Sequence, residues 1–124
     1  MSLSTDLKWF LTDASWGNVA RVYPAGRLPQ GVTLPALTYQ RISTPPEYSH
    51  DGLSKLIHPR YQLDCWAETQ LEAEALAASV ITAMGKWHQV FGQPAQLMDQ
   101  RDGLDSETGL YRQSLDFAVW YVEA

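Results

Sequence analysis

The sequence predicts an α+β fold: an antiparallel sheet of about four strands with helices packed on one face, in the order α-β-β-α-β-β. Three observations predict it. Residues Arg60 to Ala67 and Leu110 to Glu123 alternate apolar and polar positions, the period of a strand with one buried face. Residues from Ala73 to Trp87 repeat apolar positions at helical spacing. Strand patterns occur in pairs separated by helical patterns, which puts the helices together on one side of an antiparallel sheet.

The elements follow in chain order. Ser4 to Ser15 reads as a short helix, with Ser4 as its cap and Leu3, Leu7, Phe10 and Leu11 on one side. Trp9 lies off that stripe, facing a partner or the core edge. Trp16-Gly17-Asn18 stops the helix. Val19 to Pro24 is a short extended segment. Residues 25–35 form a loop punctuated by Gly26, Pro29, Gly31 and Pro35. Leu34 to Ser43 reads as a strand, with Pro35 confining its start to an edge or a first position. Ser43 to His58 (STPPEYSHDGLSKLIH) has no strong period. Loops of that length are uncommon in compact domains. Two readings stay open: a contact arm, or a solvated hairpin end whose strands run on from their neighbours.

In the strand Arg60 to Ala67, Tyr61, Leu63, Cys65 and Ala67 share one face, and Arg60, Gln62, Asp64 and Trp66 the other. Thr69 stands three residues before Glu72, the spacing of a capping box. The helix then runs to about Trp87, with Leu71 and Ile81 widening its apolar stripe. Its many alanines favour helix and allow close packing. His88 to Pro94 is a connection. Ala95 to Leu104 is a strand of mixed polarity, and Asp105 to Gly109 the turn that matches it with the last strand. Phe117 to Val122 is apolar on both faces, as in a central strand.

The chain has 124 residues, enough for a single domain with a real core. A charge of −5 argues against non-specific binding to nucleic-acid backbones or anionic membranes. No apolar run approaches a membrane span, and the N-terminus lacks a signal pattern. The expected setting is therefore a cytoplasm, at least at first. A single cysteine, Cys65, excludes an intramolecular disulfide and falls on the apolar face as a core residue. His50, His58 and His88 have no metal-ligand spacing. No phosphate loop or nucleophile elbow is present. Asp99, Asp102, Asp105 and Glu107 only loosely echo a calcium loop. No catalytic, cofactor or metal site is expected. The candidate contact residues are Tyr48, His50, Asp51 and Leu53 in the long loop, Asp64, Trp66 and Trp120 on the second sheet face, and Asp105 and Glu107 at the last hairpin tip.

Four segments, Arg21-Val-Tyr-Pro with Leu28-Pro-Gln-Gly, Leu34-Pro-Ala-Leu-Thr-Tyr-Gln, Tyr61-Gln-Leu-Asp-Cys-Trp-Ala-Glu-Thr and Glu107-Thr-Gly-Leu-Tyr-Arg-Gln-Ser-Leu-Asp-Phe-Ala-Val-Trp-Tyr, carry a resemblance in their order and spacing. From about Trp16 to Tyr121 the chain resembles the small tail-completion, or tail-terminator, proteins of long-tailed phages and prophages. The resemblance implies a structural protein without enzymatic activity or cofactor. It implies a ring of copies of this chain, typically a hexamer, on the head-proximal end of the tail tube. Its partners would be the tail tube protein and the head connector, with DNA only as passing cargo and no membrane. Its place would be the virion tail. The short, tryptophan-rich N-terminal helix departs from the family pattern. Two other readings compete: a dimeric α+β small-molecule-binding module using Trp66 and Trp120 as a platform, and an enzyme using His50 and Asp51. An acidic tip at Asp105 and Glu107, if it faced a lumen, would repel DNA phosphate.

Overall fold

The first helix, α1 (Leu3–Thr12), is capped by Ser2, whose hydroxyl accepts from the Thr5 N–H at 3.2 Å. The cap therefore lies two residues before the expected Ser4. Ser4 instead places its hydroxyl 2.6 Å from that of Tyr61 and ties the helix to the sheet. Leu3, Leu7, Phe10 and Leu11 are buried as the period requires. The helix ends at Asp13, short of the expected Ser15, because a tight turn reverses the chain. There the Gly17 N–H donates to the Phe10 carbonyl, and a Cβ on Gly17 would lie 2.3 Å from the Leu11 carbonyl oxygen. Only glycine fits that approach.

The computed structural model describes residues 2–46, 48–49, 52–53 and 55–123, with the backbone alone at 48, 49, 52 and 53. Its main sheet has five strands in the order β1-β2-β6-β8-β7. These are β1 (Val22–Pro24), β2 (Ala36–Ser43), β6 (Arg60–Ala67), β7 (Ala95–Leu104) and β8 (Tyr111–Val119). The four longer strands are antiparallel, in register Leu37↔Cys65, Cys65↔Gln113 and Leu115↔Gln100. The sheet differs from the expected four by β1, which pairs with β2 in parallel. The parallel pairing forces residues 25–35 to cross back along the sheet before β2 begins. Two small pairs complete the strands. β3 (Tyr48–Ser49) pairs with β4 (Gly52–Leu53), and β5 (Leu56–Ile57) with β9 (Tyr121–Val122).

After β6, α2 (Gln70–Met84) begins at Thr69, whose hydroxyl accepts from the Glu72 N–H at 3.2 Å. The second half of the expected box differs. The Thr69 hydroxyl donates to the Glu72 carboxylate at 3.0 Å, and no bond to the Thr69 N–H is made by it. Ala73, Ala77, Val80, Ala83 and Met84 form the buried stripe, while Leu71 is 77% exposed and takes no part. The helix breaks at Gly85–Lys86, and α3 (Trp87–Phe91) follows as a separate turn ended by Gly92 in the left-handed region.

One core joins these parts. Leu37, Tyr39, Tyr61, Leu63, Cys65, Leu115, Phe117 and Val119 from the sheet meet Leu7, Phe10, Leu11, Val80, Met84 and Trp87 from the helices. Phe10 and Trp87 meet edge to face with ring centroids 5.1 Å apart. The helices lie on this one face of the sheet, as expected. β8, between β6 and β7, is buried from Gln113 to Val119 on both of its faces. Cys65 is fully buried, and its burial pushes the thiol pKa well above the ordinary value.

Candidate functional site

The register gives the sheet two ends. At one lie the starts of β2 and β8 and the ends of β6 and β7. At the other lie Ser43, Arg60, Ala95 and Val119. The expected contact residues divide between them.

Trp66 and Asp64 lie on the second face, as parity predicts, but neither is open to solvent: they are 8% and 4% exposed. The crossing segment 25–35 explains this for Trp66. Gly26, Arg27 and Leu28 close over it together with Asp105, Thr108 and Leu110, leaving a cavity of about 230 Å³. The Trp66 indole N–H donates to the Thr38 hydroxyl at 2.9 Å, and the Arg112 guanidinium lies 5.4 Å from its ring centre. The Asp64 carboxylate accepts from the Gln62 side-chain amide at 3.0 Å on both oxygens. Further along, Asp116 accepts from Arg101 at 3.0 and 3.4 Å and pairs with Arg60 at 3.5 Å. Arg101 also donates to Asp99, and that bond holds the Asp99 carboxyl below the usual carboxylate range. The face thus carries polar pairs both within strands and between neighbouring strands, while the buried Nε atoms of Arg60 and Arg112 make no hydrogen bond.

The turn at Asp105–Gly109 forms where the sequence places it. Asp105 builds it: its carboxylate accepts from the Glu107 N–H at 3.1 Å and the Thr108 hydroxyl at 2.9 Å. Gly109 supplies the positive φ of 74°. Glu107 remains exposed. Between this tip and residues 27–34 opens a trough of about 760 Å³. Sequence reading did not single out the trough residues Leu28, Leu34 and Leu110. The available signal was the Pro- and Gly-rich stretch before β2, whose crossing over the sheet depends on the parallel pairing of β1.

The long segment 43–58 leaves the opposite end. Pro45 and Pro46 interrupt the ladder, and the β3–β4 hairpin follows with Tyr48 opposite Leu53. His50 and Asp51 lie outside the described residues, and Tyr48 and Leu53 are described only in backbone. Trp120 is at this end too. It falls in the one-residue gap between β8 and β9, across which the register is kept, with Ile57↔Tyr121 following Arg60↔Ala118. The His58 ring stacks on it at 4.4 Å, and its carbonyl accepts from the Trp87 indole at 3.1 Å. Trp66 is paired with Arg112, eight residues before Trp120. That is about 27 Å along a strand. The two tryptophans form no common platform, which removes the basis of the small-molecule reading.

Trp9, off the helix stripe, is 44% exposed and meets Phe91 edge on, with centroids 6.4 Å apart. No group of three or more metal-ligating side chains occurs among the described residues. Among them no helix is long and apolar enough to cross a membrane.

A family model described as Tail completion protein gp17 matches residues 7–122. No curated protein matches the sequence. Among solved structures, a chain from the virion of a native gene transfer agent (GTA) particle has the same fold. It superposes with a TM-score of 0.64 over 95% of this chain and 91% of that one, at 15% sequence identity.

Proposed function

The chain belongs to the family described as Tail completion protein gp17, and from that premise we propose that it acts as an oligomeric ring, of six copies, that caps the head-proximal end of the tail tube and joins tail to head. A structural role in the phage tail, in association with other particle components and without enzymatic activity, comes with the family itself. The ring, its number, the tube and connector partners, and assembly from the host cytoplasm are the proposal.

One observation supports it most. The molecule carries two unlike surfaces at opposite ends of one sheet: the end where the chain leaves β2 at Ser43 and enters β6 at Arg60, and the trough between residues 27–34 and the hairpin tip. A closed head-to-tail ring needs two different surfaces on each subunit, whereas a two-fold dimer needs only one. Tyr48, His50, Asp51 and Leu53 are proposed for the first surface, with Trp120 behind them. Glu107 is proposed for the second, with Asp105 shaping its turn and Asp64 and Trp66 supporting it from the sheet.

Native mass spectrometry and negative-stain imaging of the purified protein, alone and with the tail tube protein, test the reading. Rings that cap tube ends and stop tube growth are expected. A stable dimer that leaves tube length unrestricted refutes it. The lumen role of the acidic tip is tested at Glu107, since changing Asp105 would also break the turn. Glu107→Lys is expected to slow DNA ejection, and unchanged ejection rejects that role.

A further inference from the structure

We propose that in the assembled ring the β3–β4 hairpin of one copy adds to the free edge of β7 in its neighbour, extending the neighbour's sheet. This rests on the ring reading and names the contact that closes the ring.

The argument is an account of strand edges. The main sheet has two. β1 is only three residues and ends in Pro24, which has no N–H to offer. Short edges ended by proline resist pairing. β7 is the opposite case. It has ten residues, bonds only to β8 among the described strands, and is exposed over almost all its length. Leu97, Met98 and Leu104 on it are 40%, 53% and 59% exposed, three of the large apolar side chains that the fold leaves in water. A long open edge with apolar side chains is a template for another strand.

The hairpin is the matching donor. Its two residue pairs, Tyr48↔Leu53 and Ser49↔Gly52, form a sheet of their own, joined to no main-sheet strand among the described residues. A hairpin that small does not hold in water without further packing. Pro45 and Pro46 have no N–H with which to continue the β2–β6 ladder, so the hairpin is a separate pair beyond its end. The donor leaves the sheet between β2 and β6, while the acceptor lies on the far edge beyond β8. Donor and acceptor on different sides of one chain satisfy each other head to tail around a ring. Main-chain bonds supply the attachment in such strand addition, and alternate side chains set its register. Pairing of β7 with β7 of a second copy is the competing use of the edge. The bulge between Leu97 and Asp99 opposes it, because a two-fold pairing meets the irregularity twice.

Cysteine cross-linking decides this. Native Cys65 is fully buried and does not compete. A Ser49→Cys protein is mixed with a Gln100→Cys protein, and separately with Asp102→Cys so that one register step does not decide the result. Each mixture is assembled, treated with a short bismaleimide and run on a denaturing gel, with native mass measured on the same sample. A covalent dimer of the two 13.9 kDa chains, at least tenfold more abundant in a mixture than in either protein alone, is expected. Dimers of the Gln100→Cys protein by itself overturn the proposal in favour of β7 self-pairing. Rings in the native mass without the mixed cross-link overturn it and leave the ring reading standing. Absence of any ring, with tube protein present, refutes both.

Discussion

Replacing Trp66 by Phe separates a scaffold tryptophan from an exposed docking residue. The indole N–H is the partner of the Thr38 hydroxyl, which is fully buried. Phe keeps an apolar ring and removes that donor. Leaving a buried hydroxyl unpaired costs about 1 to 3 kcal/mol. The smaller ring weakens the contact with Arg112, which adds about 0.5 kcal/mol. A total of about 1.5 to 3.5 kcal/mol is expected. With a urea slope of about 1.5 kcal/mol/M, the midpoint falls by about 1 to 2.3 M. Thr38→Val in the same background removes the orphaned hydroxyl, so the double variant should cost less than the two single changes added together. Urea unfolding followed by far-UV circular dichroism measures all four proteins. A loss below about 0.5 kcal/mol for Trp66→Phe, with strict additivity, refutes the reasoning: the segment 25–35 then does not close over Trp66.

Three further outcomes follow from the packing. The buried Tyr121 hydroxyl donates to Asp6, and this bond pushes the Tyr121 pKa up to about 12. The phenol is thus neutral in the folded chain where the unfolded chain already ionises, so its contribution is intact below pH 10 and is lost as pH rises toward 12. Tyr121→Phe should flatten the fall in stability between those values, and an unchanged slope contradicts the assignment. Cys65 should resist a thiol reagent in the native protein and react fully in urea, because it is buried and its thiolate disfavoured; rapid native labelling would contradict this. Gly17→Ala forces a Cβ against the Leu11 backbone, so thermal unfolding should show a loss of about 2 kcal/mol or more, whereas an unchanged midpoint shows that the turn does not approach α1 so closely.

Trp66 and Trp120 show how far a side-chain period extends. Alternation assigned Trp66 to the second face, and the register agrees. Alternation also placed Trp120 on that face. The register runs on past Val119, with Ile57↔Tyr121 following Arg60↔Ala118, so Val119 and Tyr121 stay in the core and the Trp120 ring, on the other side, stacks on His58 opposite it. What a period of two does not record is that residues 25–35 close over Trp66 and bury it, whereas Trp120 stays half-buried. Asp105 was legible as a turn residue by type and spacing. Its use of both oxygens inside the turn, which leaves Glu107 as the outward charge, depends on the turn's geometry.

By itself the sequence determined the two longer helices and the four longer strands, the core face of α1, β6 and α2, the cap after β6, the late hairpin turn and, through the order of four segments, the family. These follow from local chemistry: side-chain period, caps, and the backbone limits of glycine and proline. Only the tertiary structure decided that β1 joins in parallel, that residues 25–35 cross the second face and bury Trp66, and that β7 is left as a long open edge. Those outcomes depend on which strand lies beside which. Pairing partners far apart in the chain are chosen by the packing of the whole core, and no local pattern records the choice.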